Sequence, residues 1–289
     1  MDSPTVLRRR LGSEFRRLRE QTGLQAKAVA DTLGFSAAKV SRIESGQTTL
    51  KESDVRALLE LYGVSDEFER RQFISLTRRS TQRGWWHDYG DALPDWFQTY
   101  VGLEADAALI RAYEAELVPG IFQTADYARA TFRSSLSGHR ADTEPLVARR
   151  AGLRMQRQEI FTRPTPPSVR AVLNEAVLRR AVGGPEVMRG QLAHLVELAQ
   201  RPTVVIQVLP FAAGAHPAMS MAFHILSFSD VPGQIVYAEA LTSSLYIEKE
   251  SDIARHEFVF DQLAESALSP EDSLSWMSEL AAEGYRDDS

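Results

Sequence analysis

The apolar positions of the chain change period along its length. Leu11, Phe15 and Leu18 recur at helical spacing, and Val55, Leu58, Leu59 and Tyr62 do so again after residue 50, which predicts amphipathic helices flanking a shorter segment. That segment, 24–46, reads LQAKAVADTLGFSAAKVSRIESG. Gly34 marks a break, Ser36 is placed to cap a second helix and Gly46 to end it. Two short helices around a tight turn are predicted. A further helix is predicted over 66–80, with Ser65 as cap and Asp66 and Glu67 in its first turn.

Farther along, helical spacing predicts helices over 103–135, 144–161 and 186–199, the last opened by Gly184 and Pro185 and followed by Pro202. Then the period shortens. TVVIQVLP, MAFHILSF, QIVYAE and SLYIE are short, rich in β-branched or aromatic residues, and separated by Gly, Pro, Ser and Asp. They read as four strands, with VRAVLNE (169–175) as a fifth. Helix returns over 250–267 and 270–283, the latter started by Ser269 and Pro270. The predicted fold class is an N-terminal all-α helix-turn-helix bundle followed by a C-terminal α+β domain with a small mixed or antiparallel sheet. The expected division is 1–80 for the bundle, 81–90 for a linker and 91–289 for the second domain.

In the second helix of the 24–46 segment, Ala37, Ala38, Lys39, Ser41 and Arg42 point outward while Val40 and Ile43 point inward. Small and cationic groups on one face suit a DNA major groove. An ordinary helical hairpin is the bland alternative, because glycine and serine are common at helix junctions. The joint presence of turn, cap, apolar positions and terminal Glu44 favours a DNA reader. Lys39 and Arg42 are then expected to carry specificity, Arg16 and Arg17 to carry affinity for the backbone, and Ser36 and Gln47 to border the same surface.

Over about residues 7–64 the chain resembles the XRE-type family of bacterial repressor-like domains, through LREQTGL (18–24), LGFSAAKVSRIESG (33–46) and DVRALLELYGV (54–64). The resemblance implies a structural ion pair between an arginine late in the first helix and the glutamate ending the recognition helix, here Arg19 and Glu44. It also implies a phosphate-clamping glutamine where this chain has Ala26, with Gln25 and Lys27 as substitutes. Leu50 stands where the family tends to have proline. From residue 85 onward the chain resembles the C-terminal domain of antitoxin-like bacterial regulators. The matching pieces are WWHDYGDALPDWFQTYVGLEADA (85–107), LVPGIFQTADYARA (117–130), NEAVLRRAVGGPEVMRGQL (174–192), VLPFAAGAHPAM (208–219), VYAEALTSSLYIE (236–248) and ALSPEDSLSW (267–276). That resemblance implies a small protein partner encoded beside the regulator.

Charge refines the picture. The chain has 289 residues and a net charge of −6, but residues 1–90 hold 16 Lys+Arg against 12 Asp+Glu, and residues 91–289 hold 17 against 27. The N-terminal part is thus +4 and the rest −10, which assigns attraction for phosphate to the first domain. Arg8, Arg9, Arg10, Arg16 and Arg17 form the densest basic group, read as a solvated tail and helix face or as backbone contacts. Zero cysteines exclude disulfides, thiolate zinc fingers and iron–sulfur clusters. No apolar run approaches a membrane span and the N-terminus lacks a signal core, so a cytoplasmic, nucleoid-associated protein without membrane contact is expected.

The second domain offers weaker signals. Trp85, Trp86, Tyr89, Trp96, Phe97 and Tyr100 crowd its entry, either docking the linker into the core or forming a ligand cage. Arg150, Arg154 and Arg157 are spaced to share a helix face, a solvated one or one suited to an acidic peptide or phosphate. His216 and His224 either share a pocket with Glu239 or are structural. Together Trp85, Trp86, Trp96, Arg150, Arg154, Arg157 and His216 are the candidate ligand or partner surface. No metal-ligand spacing, GxSxG, phosphate loop or GxGxxG is present, so neither catalysis, cofactor nor metal is expected. The sequence therefore points to a dimeric regulator of a double-stranded operator that senses a small ligand or partner protein. Its rival is an antitoxin-like interaction protein that autoregulates. Dimerisation is expected because one recognition helix reads only a few base pairs.

Overall fold

The computed structural model describes residues 3–136, 144–229 and 233–285, and leaves the side chains of Asp91, Asp95, Ser135 and Leu136 undescribed. The chain divides into two compact units. One holds the residues through Asp88, Thr99–Asp106 and a short piece beginning at Phe228, and the other holds Tyr89–Gln98, Ala107–Ser227 and the chain from Gly233.

The first unit is helical. It comprises α1 (Pro4–Gln21), α2 (Ala26–Leu33), α3 (Ala37–Glu44), α4 (Glu52–Leu61) and α5 (Glu67–Ser80). α1 starts where Ser3 accepts a hydrogen bond from the Val6 N–H and Pro4 supplies a preset φ in the first turn. Leu11, Phe15, Val29, Val40, Ile43, Leu50, Val55, Leu58 and Leu59 close a shared core. Leu50, the departure from the family's proline, thus fills space in that core. α5 is capped one residue later than Ser65: the Asp66 carboxylate accepts from the N–H groups of Phe68 at 2.6 Å and Glu69 at 3.1 Å. A carboxylate at that point also complements the positive end of the helix dipole, which a serine cannot.

Two glycines set the path of α1 to α3. Gly34 ends α2 at φ +64°, a left-handed conformation that lets the chain turn at once into the Ser36 cap. Gly12 does its work through size: a Cβ there would stand 2.4 Å from the Ile43 carbonyl oxygen and 2.7 Å from that of Glu44. α1 therefore lies directly against the end of α3. Gly12→Ala is expected to cost about 1–3 kcal/mol by forcing the two backbones apart. Hydrogen exchange of α1 and α3 amides checks this, and unchanged protection would show that the contact yields freely.

The second unit is α+β. Its sheet has the order β3-β2-β1-β4-β5-β6 and is mixed. α6 (Asp95–Asp106), which contributes residues to both units, precedes β1 (Leu109–Glu114). α7 (Ala125–Leu136) and α8 (Glu144–Arg157) follow, then β2 (Ser168–Asn174), α9 (Glu175–Arg179) and α10 (Pro185–Ala199). β3 (Val204–Leu209), β4 (Phe223–Ser227), β5 (Gln234–Glu239) and β6 (Ser244–Ile247) complete the sheet before α11 (Glu250–Ser266) and α12 (Pro270–Glu283). β1 pairs parallel with β2, and β2 with β3, while β1–β4, β4–β5 and β5–β6 are antiparallel. Parallel pairs need crossovers, and the helices between β1, β2 and β3 supply them.

The continuous helix predicted over 103–135 is corrected: it ends at Asp106, and Leu109–Glu114 is a central strand. Alanine, leucine and glutamate favour helix locally, but β1 is hydrogen-bonded on both edges and buries successive residues, so cross-strand pairing overrides propensity. The helix predicted over 144–161 gives way to a 3-10 turn at Gln158–Thr162. One sheet face, carrying Tyr113, Val172, Leu209, Phe223, Ile225, Val236 and Ala238, packs on Ile253, Phe260 and Leu263 of α11. Among the described residues no helix is long and apolar enough to cross a membrane.

Candidate functional site

The helix-turn-helix surface is built on a rigid inner side. Ser36 accepts from the Lys39 N–H at 3.1 Å, fixing the first turn of α3, and Val40 and Ile43 enter the core. Arg19 reaches the other end: its Nε donates to Glu44 Oε1 at 2.6 Å and its Nη2 to Glu44 Oε2 at 3.1 Å, while Nη1 donates to the Leu24 carbonyl at 2.9 Å. Both side chains are only 12% exposed. This fork ties α1 to the end of α3 and to the chain entering α2. Tyr62 is buried beside it, and its phenol is pushed up to about 12 by burial first and the Glu44 charge second.

On the outer side Ala37, Ala38, Ser41, Arg42 and Gln47 are exposed. Among the described residues Arg42 Nε reaches only its own helix, donating to the Ala38 carbonyl at 3.3 Å. Lys39 is different. Its Nζ lies 2.9 Å from Asp54 Oδ2 and 3.5 Å from the centroid of the Phe35 ring. Its charge is thus held between α3 and α4 rather than presented freely beside Arg42. Asp54 was invisible as a partner in the sequence, because nothing local relates it to Lys39.

The flanking residues are open. Gln25 begins α2 without capping it through its side chain, which leaves the first-turn N–H groups available, and Lys27 is exposed beside it. Arg16 and Arg17 are exposed and hold Glu20 and Glu14, each at 2.9 Å. Such surface pairs are worth little and exchange readily for another anion. Arg8 is no part of a solvated tail: Pro4–Gln21 is helical, and Arg8 donates to the Ser80 carbonyl and to Thr5 Oγ1, both at 3.2 Å. Burial lowers its guanidinium pKa.

The candidate surface of the second domain is not one surface. Trp85 and Trp86 belong to the first unit, and Trp86 is 3% exposed, lying over Gly84 and Gly102, so it is not accessible. Trp96 accepts from the Tyr246 hydroxyl through its carbonyl at 2.9 Å. His216 Nε2 lies 3.2 Å from the Tyr113 hydroxyl, and burial holds its pKa below the ordinary histidine value. Tyr113 and Glu114 are adjacent in β1 and so point to opposite faces. His216 therefore sits across the sheet from His224, whose Nε2 lies 2.9 Å from Glu114 Oε1. Glu239 instead accepts from the Tyr237 hydroxyl at 2.8 Å, so of the two alternatives a shared pocket of His216, His224 and Glu239 does not form. His139 lies outside the described residues.

The arginine stripe on α8 is not a solvated face. Arg157 is 4% exposed and stands 5.1 Å from the Phe97 ring centroid. Arg154 lies 4.6 Å from that of Phe132, and Arg150 Nε donates to the Ala92 carbonyl at 3.2 Å. Among the described residues, no group of three or more His, Cys, Asp or Glu side chains gathers to hold a metal.

Two family models match the chain. Residues 10–73 match a helix-turn-helix domain, a span that begins within α1, covers α2, the turn, α3 and α4, and ends within α5. The N-terminal unit is thus a helix-turn-helix domain of the DNA-binding kind. No curated protein and no solved structure matches the chain. Residues 97–279, more than half of the 289, match a domain of unknown function, DUF5753, and the chain belongs to that family.

Proposed function

We propose that the chain is a sequence-specific transcriptional regulator of the XRE type, binding a double-stranded operator as a homodimer in the bacterial cytoplasm and associated with the nucleoid. The observation that carries the reading is the exposed outer face of α3, Ala37, Ala38, Ser41 and Arg42, on a helix pinned from behind by Arg19 and Glu44. Small side chains let that helix approach base edges, and Arg42 has the donors to read a guanine. Gln25, Lys27, Arg16 and Arg17 surround it with backbone contacts, and Ser36 and Gln47 border the same face. The second domain receives a signal and carries out no catalysis.

The test is selection of bound duplexes from random sequence by the full chain. The expected operator is a two-fold repeat with half-sites about 10 base pairs apart, or a multiple of that spacing. Enrichment of no sequence over the input would sink the reading.

A second reading, an antitoxin-like protein that holds a small partner encoded beside it and autoregulates, is favoured by one feature of the second unit. Phe211, Met219 and Phe258 are 58%, 71% and 62% exposed. Apolar side chains at that exposure suit a protein contact better than a small ligand. Under this reading the product of an adjacent short reading frame co-purifies with the chain at a fixed ratio. Failure of the two to associate at micromolar concentration would remove it.

A further inference from the structure

The sheet face opposite α11 brings a histidine and two tyrosines into register beside a small residue of β1. Ala112, His224, Tyr237 and Tyr246 stand side by side across β1, β4, β5 and β6. Glu114 and Glu239 lie two residues farther along β1 and β5, on the same face because side chains alternate along a strand. Aromatic rings wall the area: Tyr237 is 5.3 Å from Tyr246 and 6.4 Å from Phe97, centroid to centroid. Over it, α8 brings Arg157 to Phe97 and Arg154 to Phe132.

Arg154 is the group without a structural explanation. It is half-buried, and among the described residues it makes no hydrogen bond or ion pair, its contact being the Phe132 ring. Burial and the neighbouring Arg157 bring its guanidinium pKa down to about 10, while Glu239 and Glu114 attract it from beyond hydrogen-bond distance. Those carboxylates already accept from Tyr237 and meet His224, respectively. A guanidinium carries five N–H donors in one plane, and keeping it partly desolvated beside a second cation lowers the stability of the fold. A packing role alone would be met better by methionine or leucine. A half-buried guanidinium with donors open to solvent, beside a second cation and two carboxylates, marks a candidate binding group.

The surrounding charges narrow the ligand. A single carboxylate fits the planar donors of an arginine, whereas a phosphate dianion would also meet Glu114 and Glu239. A ligand bearing an ammonium as well turns those carboxylates from a penalty into a second point of recognition. We propose that this face of the second unit binds a small zwitterion of the amino-acid type, its carboxylate held by Arg154 and its ammonium directed to Glu239 and Glu114. This rests on the reading of the second domain as signal-receiving.

The test uses the full chain, without DNA, so that its failure leaves operator binding untouched. Thermal melting and titration calorimetry are run at constant ionic strength with each proteinogenic α-amino acid and with inorganic phosphate as the polyanion. At least one amino acid is expected to raise the melting temperature saturably and by more than phosphate does. Arg154→Met keeps the packing on Phe132 and is expected to weaken that binding about tenfold or more. It should also raise the melting temperature of the ligand-free protein by about 2–4 °C. Glu239→Gln should weaken binding through the other end of the ligand, and Arg149→Gln, at an exposed position of α8, should not. A response to phosphate alone, no response at all, binding that survives Arg154→Met, or a lower ligand-free melting temperature for that variant would overturn the proposal.

Discussion

Replacing Arg19 with leucine is expected to destabilise the helix-turn-helix unit by about 3–5 kcal/mol, the range for removing one partner of a buried ion pair. Glu44 would keep its charge at 12% exposure with both hydrogen bonds gone, and the Leu24 carbonyl would lose its donor. Glu44→Gln should cost less, because an amide still accepts one hydrogen bond from the guanidinium. The double substitution Arg19→Leu with Glu44→Leu should cost clearly less than the two leucine variants summed, since no uncompensated charge remains. Hydrogen exchange resolved to 11–61 isolates this unit from the rest of the chain, which one melting curve over two units does not. Additive losses would show that the two residues act independently despite their geometry.

The pair was legible in the sequence for a different reason from the surface around Arg154. Arg19 and Glu44 were implied as a pair by the resemblance to the XRE-type family, while the caps and breaks at Gly34, Ser36 and Gly46 are local signals that place the elements carrying them. The second unit depends on long-range pairing. β1 is flanked by β2 and β4, which lie about sixty and about one hundred and fifteen residues farther along the chain. Residues that a central strand buries on both faces lose the alternation that reveals edge strands, and 109–114 consequently resembled helix. Missing β1 hid Glu114, and with it the face on which His224, Tyr237 and Glu239 assemble. Helical spacing puts Arg154 and Arg157 on one helix face, but periodicity says only that they are together. That Arg157 is buried and that Arg154 has no acceptor among the described residues depends on α6, α7 and the sheet, none of which the α8 sequence encodes. The same holds for Lys39, where helix spacing gave an outward direction and Asp54 on a separate helix redirected the ammonium.

That redirection changes the expected order of effects on DNA. Arg42→Ala should cost ~1–3 kcal/mol on the preferred operator and flatten discrimination among sequences, because its exposed guanidinium has only an intrahelical contact to give up before reaching a base edge. Lys39→Ala should affect discrimination less. To reach DNA the Lys39 ammonium must leave Asp54 and the Phe35 face, and its loss should instead loosen the packing of α3 on α4 by about 0.5–1 kcal/mol. Arg16→Ala should weaken cognate and scrambled duplexes alike and reduce the slope of log affinity against log salt by about 1, because its exchange of Glu20 for a phosphate carries no sequence information. Binding isotherms for the three variants on cognate and scrambled duplexes, at several salt concentrations, separate these contributions. If Arg42→Ala lost affinity equally on both duplexes, α3 would not be the helix that reads the bases.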